Sequence, residues 1–209
     1  MILRFLRKEF WTFLFATGLA CALNIIMYMS GLVNSSPKYQ EAMERFSSLP
    51  WYQLVFLALI VAPVIEETIF RGVFFGLPKY AIKLITGRCH MRIVMFLAVF
   101  SSLLFGIYHG NVVQGIYAFL MGMGLCYTYE CCGGLFWSMT FHFFANSFSI
   151  IAGSLVNQSS LLMVKIVAIA VSIVFVVLGE FGLKRIYYER LALSLIKERM
   201  RDGEIVIEE

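Results

Sequence analysis

The sequence predicts an all-α protein, a polytopic bundle of about six transmembrane helices with both termini in the cytoplasm. Three observations predict it. Of 209 residues, 60% are apolar and 14% charged, with a mean hydropathy of +0.82, whereas soluble domains run near about half apolar and about a quarter charged. Apolar runs of span length recur six times, and at about 20 residues per crossing of a hydrocarbon layer of about 30 Å they nearly fill the chain. Lysine and arginine fall on alternate loops, the asymmetry that orients membrane proteins. These figures exclude a water-soluble fold, and the whole chain, 1–209, reads as a single domain with no separate soluble module. The net charge of +4 is modest and unevenly spread, so it speaks for contact with an anionic membrane face and not for nucleic acid.

The first run, 11–33, follows Arg4, Arg7 and Lys8. It exceeds a signal-peptide core of about 7 to 15 residues, so it reads as a retained helix. Residues 34–50 are polar, with Ser35, Ser36 and Pro37 predicting a turn and a short surface helix. The second run, 54–77, contains Pro63, Glu66, Glu67 and Arg71, and 78–92 is a basic connector with Lys79, Lys83, Arg88 and Arg92. Runs at 93–109, 112–129, 134–155 and 161–183 follow, the last two separated by polar residues 157–160. Six crossings set the N-terminus, the basic connector and the tail on one side with thirteen basic residues. Lys38, Arg45 and Lys165 make three on the other. The tail, 184–209, reads as a basic amphipathic helix on the inner leaflet, with Ile186, Leu191, Leu195 and Met200 apolar. The five cysteines lack the paired spacing of a zinc site and read as reduced and structural, with Cys131 and Cys132 beside a span as a weak acylation signal.

Ionisable side chains in the middle of a bilayer cost about 2.5 kcal/mol or more each, so they usually face a bundle interior and mark function. Here they cluster in three segments: Val64-Ile65-Glu66-Glu67-Thr68-Ile69-Phe70-Arg71, Phe105-Gly106-Ile107-Tyr108-His109, and His142-Phe143-Phe144-Ala145-Asn146. Residues four apart share a helix face. Glu67 and Arg71 can therefore pair along their helix, leaving Glu66, about 100° around the axis, free to point elsewhere. His142 and Asn146 project together, and Phe105 stands one turn before His109. Pro63 lacks an amide hydrogen and loosens the helix where the glutamates begin. A carboxylate and an imidazole can share the deprotonation of a water, while a second imidazole and a side-chain amide donate to an oxyanion. The inventory suffices for peptide hydrolysis without a protein nucleophile.

Glu66-Glu67-x-x-x-Arg71, Phe105-x-x-x-His109 and His142-x-x-x-Asn146, in this order on separate spans, resemble the CAAX protease and bacteriocin-processing (CPBP, or Abi) family. The similarity covers roughly 54–155, the motif core, about half of the chain. The resemblance implies an intramembrane glutamic endopeptidase in which Glu66 and His109 activate water and His142 and Asn146 form the oxyanion hole. Glu67 and Arg71 would be supporting residues, and no metal or cofactor is implied. It further implies a membrane-embedded or lipid-linked peptide or protein substrate, and we expect a multi-pass protein of a bacterial plasma membrane.

Three other readings stay open on the residues alone. Two histidines and one or two glutamates on three helices can bind zinc, although a His-Glu-x-x-His helix is absent. A transporter would use the same residues as an ion path, but they gather in one place and no inverted repeat is apparent. A non-catalytic immunity or partner-binding protein would keep the fold without the reaction. The small-xxx-small pairs Gly72/Gly76 and Gly106/Gly110 are read as helix-packing faces. Counted at about 1.5 Å per residue, Glu66 falls about 18 Å from the external end of its span while His109 closes its own near that side; the motif grouping takes precedence over the span limits.

Overall fold

The computed structural model describes residues 2–157 and 162–201, and among them every regular element is helical. The predicted helical bundle is what forms. Helix α1, Ile2–Met29, begins nine residues before the expected apolar run. Hydropathy locates a span and not the start of a helix, and Arg4, Arg7 and Lys8 propagate helix well. A turn at Gly31 leads through α2, Leu32–Ser35, to α3, Pro37–Ser47. Ser36 caps α3 by accepting from the Tyr39 amide, and Pro37 occupies the first turn, where its missing N–H costs nothing.

Helix α4, Trp51–Thr86, runs 36 residues, well past the expected 54–77. Most of the basic connector is its last turns, and Gly87, at φ 76°, ends it in the left-handed region. The helix is not uniform. Wider π turns occupy Leu57–Val61 and Thr68–Gly76, on either side of the turn that carries the two glutamates. Helix α5 covers Met91–Tyr108, α6 covers Val112–Cys132 with Asn111 accepting from the Gln114 amide at its N-cap, and α7 covers Leu135–Asn157. Helix α8, Leu162–Arg201, joins the sixth apolar run and the tail in one rod of 40 residues. The tail through Arg201 is thus helical, as expected, but continuous with the sixth run: no proline or left-handed glycine interrupts the chain, and Leu183 and Ile186 are buried. Residues 158–160, expected as the last loop, and 202–209 of the tail lie outside the described residues.

By length and apolarity α1, α4, α5, α6 and α8 can each cross a membrane. The fifth run forms α7, 23 residues long. Helix α1 lies between α8 and α7, α5 pairs with α6, and α4 lies against α5 and α7. The core where they meet holds Phe15, Ala16, Ala20, Leu125, Phe141 and Leu183. The outer face of α4 is the reverse, with Ile60, Ile65, Ile69 and Val73 exposed, a surface suited to lipid and not to water.

Close approach between helices is set by particular glycines. A Cβ at Gly106 would stand 2.7 Å from the Gly115 carbonyl oxygen, and one at Gly76 2.5 Å from the Tyr129 hydroxyl of α6. Their partners in the expected small-residue pairs do less: Gly72 has only distant neighbours, and Gly110 is a turn residue at φ 73° with open space around it. All five cysteines are free thiols, and Cys131 and Cys132 are buried, which leaves no exposed sulfur for an acyl chain at that pair.

Candidate active site

The two glutamates occupy the turn of α4 between its π stretches, Ala62–Glu67, and being adjacent they face different surroundings. Glu67 is fully buried. Its Oε1 accepts from Arg71 Nη1 at 3.0 Å, one turn along, and from His142 Nδ1 at 3.0 Å across the gap to α7. Arg71 is equally buried, and its guanidinium lies 4.4 Å from the centre of the Phe105 ring, a cation–π contact. Two buried charges removed from water are tolerable only when paired and bonded. Here the imidazole and the aromatic face add to that pairing, while Glu67 Oε2 and Arg71 Nε and Nη2 stay buried without a hydrogen-bond partner among the described residues.

Glu66 is differently placed. Its side chain keeps 14% exposure and its Oε2 stands 3.7 Å from His142 Nε2, beyond hydrogen-bond length. His142 thus spans both carboxylates with its two ring nitrogens. Because a carboxylate only accepts, Nδ1 carries the hydrogen given to Glu67, and Nε2 faces Glu66.

His109 follows α5 as its C-terminal cap. Its Nδ1 lies 2.8 Å from the Phe105 carbonyl oxygen, which can only accept, so that nitrogen is the donor and the Nε2 lone pair is left for a proton. The Phe105 ring stands edge-on to both histidines, at 4.8 Å from His109 and 5.9 Å from His142 between centres. No ion pair joins Glu66 directly to His109 among the described residues; the Phe105 ring links His109 to His142 of α7 and to Arg71 of α4. Asn146, one turn beyond His142, gives an Nδ2 hydrogen to the Ala58 carbonyl oxygen at 2.8 Å, tying α7 to the first π stretch.

The remaining neighbours are ones that motif spacing does not reveal. Ser101 on α5 donates to the Phe70 carbonyl at 2.7 Å and is fully buried, fixing α5 to the second π stretch. A Cβ at Gly122 of α6 would stand 3.0 Å from Arg71 Nη2 and 2.9 Å from Ser102 Oγ. That glycine gives the guanidinium its room. Farther along, Asn24 of α1 donates to Tyr117 and Ser149, at 3.2 and 3.0 Å, linking α1, α6 and α7. An asparagine within an apolar run is itself a signal of an interhelical bond, and Asn24 was readable on that ground.

Fold and site together define a class: a polytopic helical membrane protein that holds carboxylates, imidazoles and a side-chain amide in a mostly buried cluster between three helices. The family model described as type II CAAX prenyl endopeptidase Rce1-like matches residues 48–148, which include every one of these cluster residues. It is the family to which the three motifs point. It implies a CAAX protease-type hydrolase acting in a membrane. No curated protein and no solved structure matches the chain. Helices α1 and α8 lie outside the matched segment.

Proposed function

We propose that the protein is an intramembrane glutamic endopeptidase that hydrolyses a peptide bond of a membrane-associated protein or peptide. The observation that carries this reading is the division between adjacent glutamates. Glu67 is fully buried and held through Oε1 by both Arg71 and His142, whereas Glu66 retains exposure and has no hydrogen-bond partner among the described residues. A carboxylate kept in a largely buried cluster without a partner of its own is suited to receive a proton.

In this mechanism a water between Glu66 and His109 attacks the scissile carbonyl carbon. Its proton passes to the Glu66 carboxylate, with the His109 Nε2 lone pair as the second acceptor. The carbonyl becomes an oxyanion, which accepts from Asn146 and from His142 Nε2. Since His142 Nδ1 already donates to Glu67, Nε2 can donate only when the ring carries both hydrogens. Collapse breaks the C–N bond, and the proton held on Glu66 goes to the leaving amine. Glu67 and Arg71 support the geometry by holding His142. We further propose a single domain, cytoplasmic termini, a bacterial plasma membrane and a lipid-linked or membrane-embedded substrate.

The direct test compares purified wild type and Glu66→Gln in lipid vesicles on a prenylated CAAX peptide, and compares membrane and secreted peptides of cells carrying each. Cleavage by wild type alone is expected. Equal cleavage by both would overturn the role of Glu66, and activity lost to a chelator and restored by zinc would overturn the metal-free mechanism.

A further inference from the structure

Pro63 is buried on α4, three residues before Glu66, in the turn that follows the first π stretch. In that stretch the amide hydrogens reach five residues back instead of four: the Ala62 amide donates to the Leu57 carbonyl. The next donor in this register would be the amide of residue 63, and its acceptor the carbonyl of Ala58. Residue 63 is proline and has no amide hydrogen. The Ala58 carbonyl is therefore deprived of its donor within its own helix, at a residue only 7% exposed. A buried carbonyl in that condition needs a partner from elsewhere. The partner is Asn146, whose Nδ2 donates to it at 2.8 Å across the interface with α7.

From this geometry we infer that Pro63 is a positioning residue for Asn146, acting through the Ala58 carbonyl. A carboxamide is planar and its nitrogen carries two hydrogens. Once one is committed to Ala58, the plane is fixed and the second hydrogen points in one direction. The free amide of a solvated asparagine would sample many. The proline thus creates, on one helix, the acceptor that orients a donor on another, and the π turn sets the acceptor where α7 can reach it. Neither Glu67 nor His142 shares this device: their orientation comes from Arg71 and from each other. The inference rests on the proposed role of Asn146 as an oxyanion donor, and it adds Pro63 and the Ala58 carbonyl to the machinery that makes the role work.

Pro63→Ala restores an amide hydrogen at residue 63, which competes with Asn146 for the Ala58 carbonyl. The expected result on a cleavable CAAX peptide in vesicles is a tenfold to hundredfold fall in kcat, with KM changed less than twofold and no loss of thermal stability, since alanine favours a helix interior. A double-mutant cycle with Asn146→Ala separates the possible causes. If Pro63 works through Asn146, Pro63→Ala changes kcat less than twofold once Asn146 is already alanine. Additive losses, or an unchanged kcat in Pro63→Ala alone, would overturn the inference while leaving Asn146 at the oxyanion. A full kcat in Asn146→Ala would instead overturn the oxyanion assignment, and the inference with it. A readout that needs no turnover is the side-chain amide signal of Asn146 in asparagine-labelled protein, which is expected to move in Pro63→Ala and to stay fixed in Glu66→Gln.

Discussion

Along α1 and α8 two helices lie almost backbone to backbone. A Cβ at Gly179 would stand 2.6 Å from the Phe15 amide nitrogen, one at Gly18 2.8 Å from the Ser172 carbonyl oxygen, and one at Gly182 would run into the Trp11 ring. Along α4 the helix opens twice into π turns, half its circumference faces outward, and the side it buries carries a carboxylate, a guanidinium and a proline. The terminal pair is held by close packing of small residues, and the site helix by a few directional bonds. Packing tolerates a lost hydrogen bond but not an added atom. A bonded site tolerates neither the loss of a charge nor its exposure. The two regions should therefore fail in different ways when altered.

The largest expected difference is in activity. Glu66→Gln should lower the cleavage rate by about a hundredfold to ten thousandfold while the unfolding midpoint in detergent moves little, because Glu66 makes no hydrogen bond among the described residues that the variant would break. A large stability loss in that variant would erase the distinction between the working and the supporting glutamate. Next is Arg71→Ala, which strands Glu67 as an unpaired buried carboxylate and should cost about 3 to 5 kcal/mol in reversible unfolding. A neutral result would mean that His142 alone satisfies Glu67. On the packing side, Gly179→Ala should cost about 1 to 3 kcal/mol by forcing α8 away from Phe15, with kcat near wild type in whatever fraction folds. The smallest effect tests the polar tie of the scaffold. Asn24→Ala should cost roughly 0.6 kcal/mol, the usual size of a hydrogen bond between membrane helices, measured as a shift in the unfolding midpoint.

This contrast also sorts what the sequence reveals from what it does not. The six apolar runs were legible because burial in lipid requires them, and so was the pairing of Glu67 with Arg71, which follows from helix geometry alone. Helix ends were less legible. Arg4, Lys79 and Lys184 lie beyond the apolar windows, yet the helices run straight through them, because charge ends a span without ending a helix. Glycine spacing identified Gly76 and Gly106 but also Gly72 and Gly110, which approach nothing closely. It passed over Gly18, Gly179 and Gly182, whose partners are more than a hundred residues away in sequence. The π turns left their trace in Pro63, but a missing amide hydrogen does not say which side chain will answer it. Asn146 was legible as a polar residue in a span. Its bond to Ala58 depends on the distance between two helices, which no local pattern contains.

The outward face of α4, with Ile60, Ile65, Ile69 and Val73 exposed, sets how any encounter from that side must be counted. A molecule arriving along it diffuses in a sheet, so its abundance is a mole fraction of the membrane and not an amount per volume. Adding plain lipid at constant protein and substrate then thins the substrate in the plane and slows cleavage, although nothing in the tube has been diluted. Rates measured at different lipid-to-protein ratios become comparable only when expressed per unit of surface.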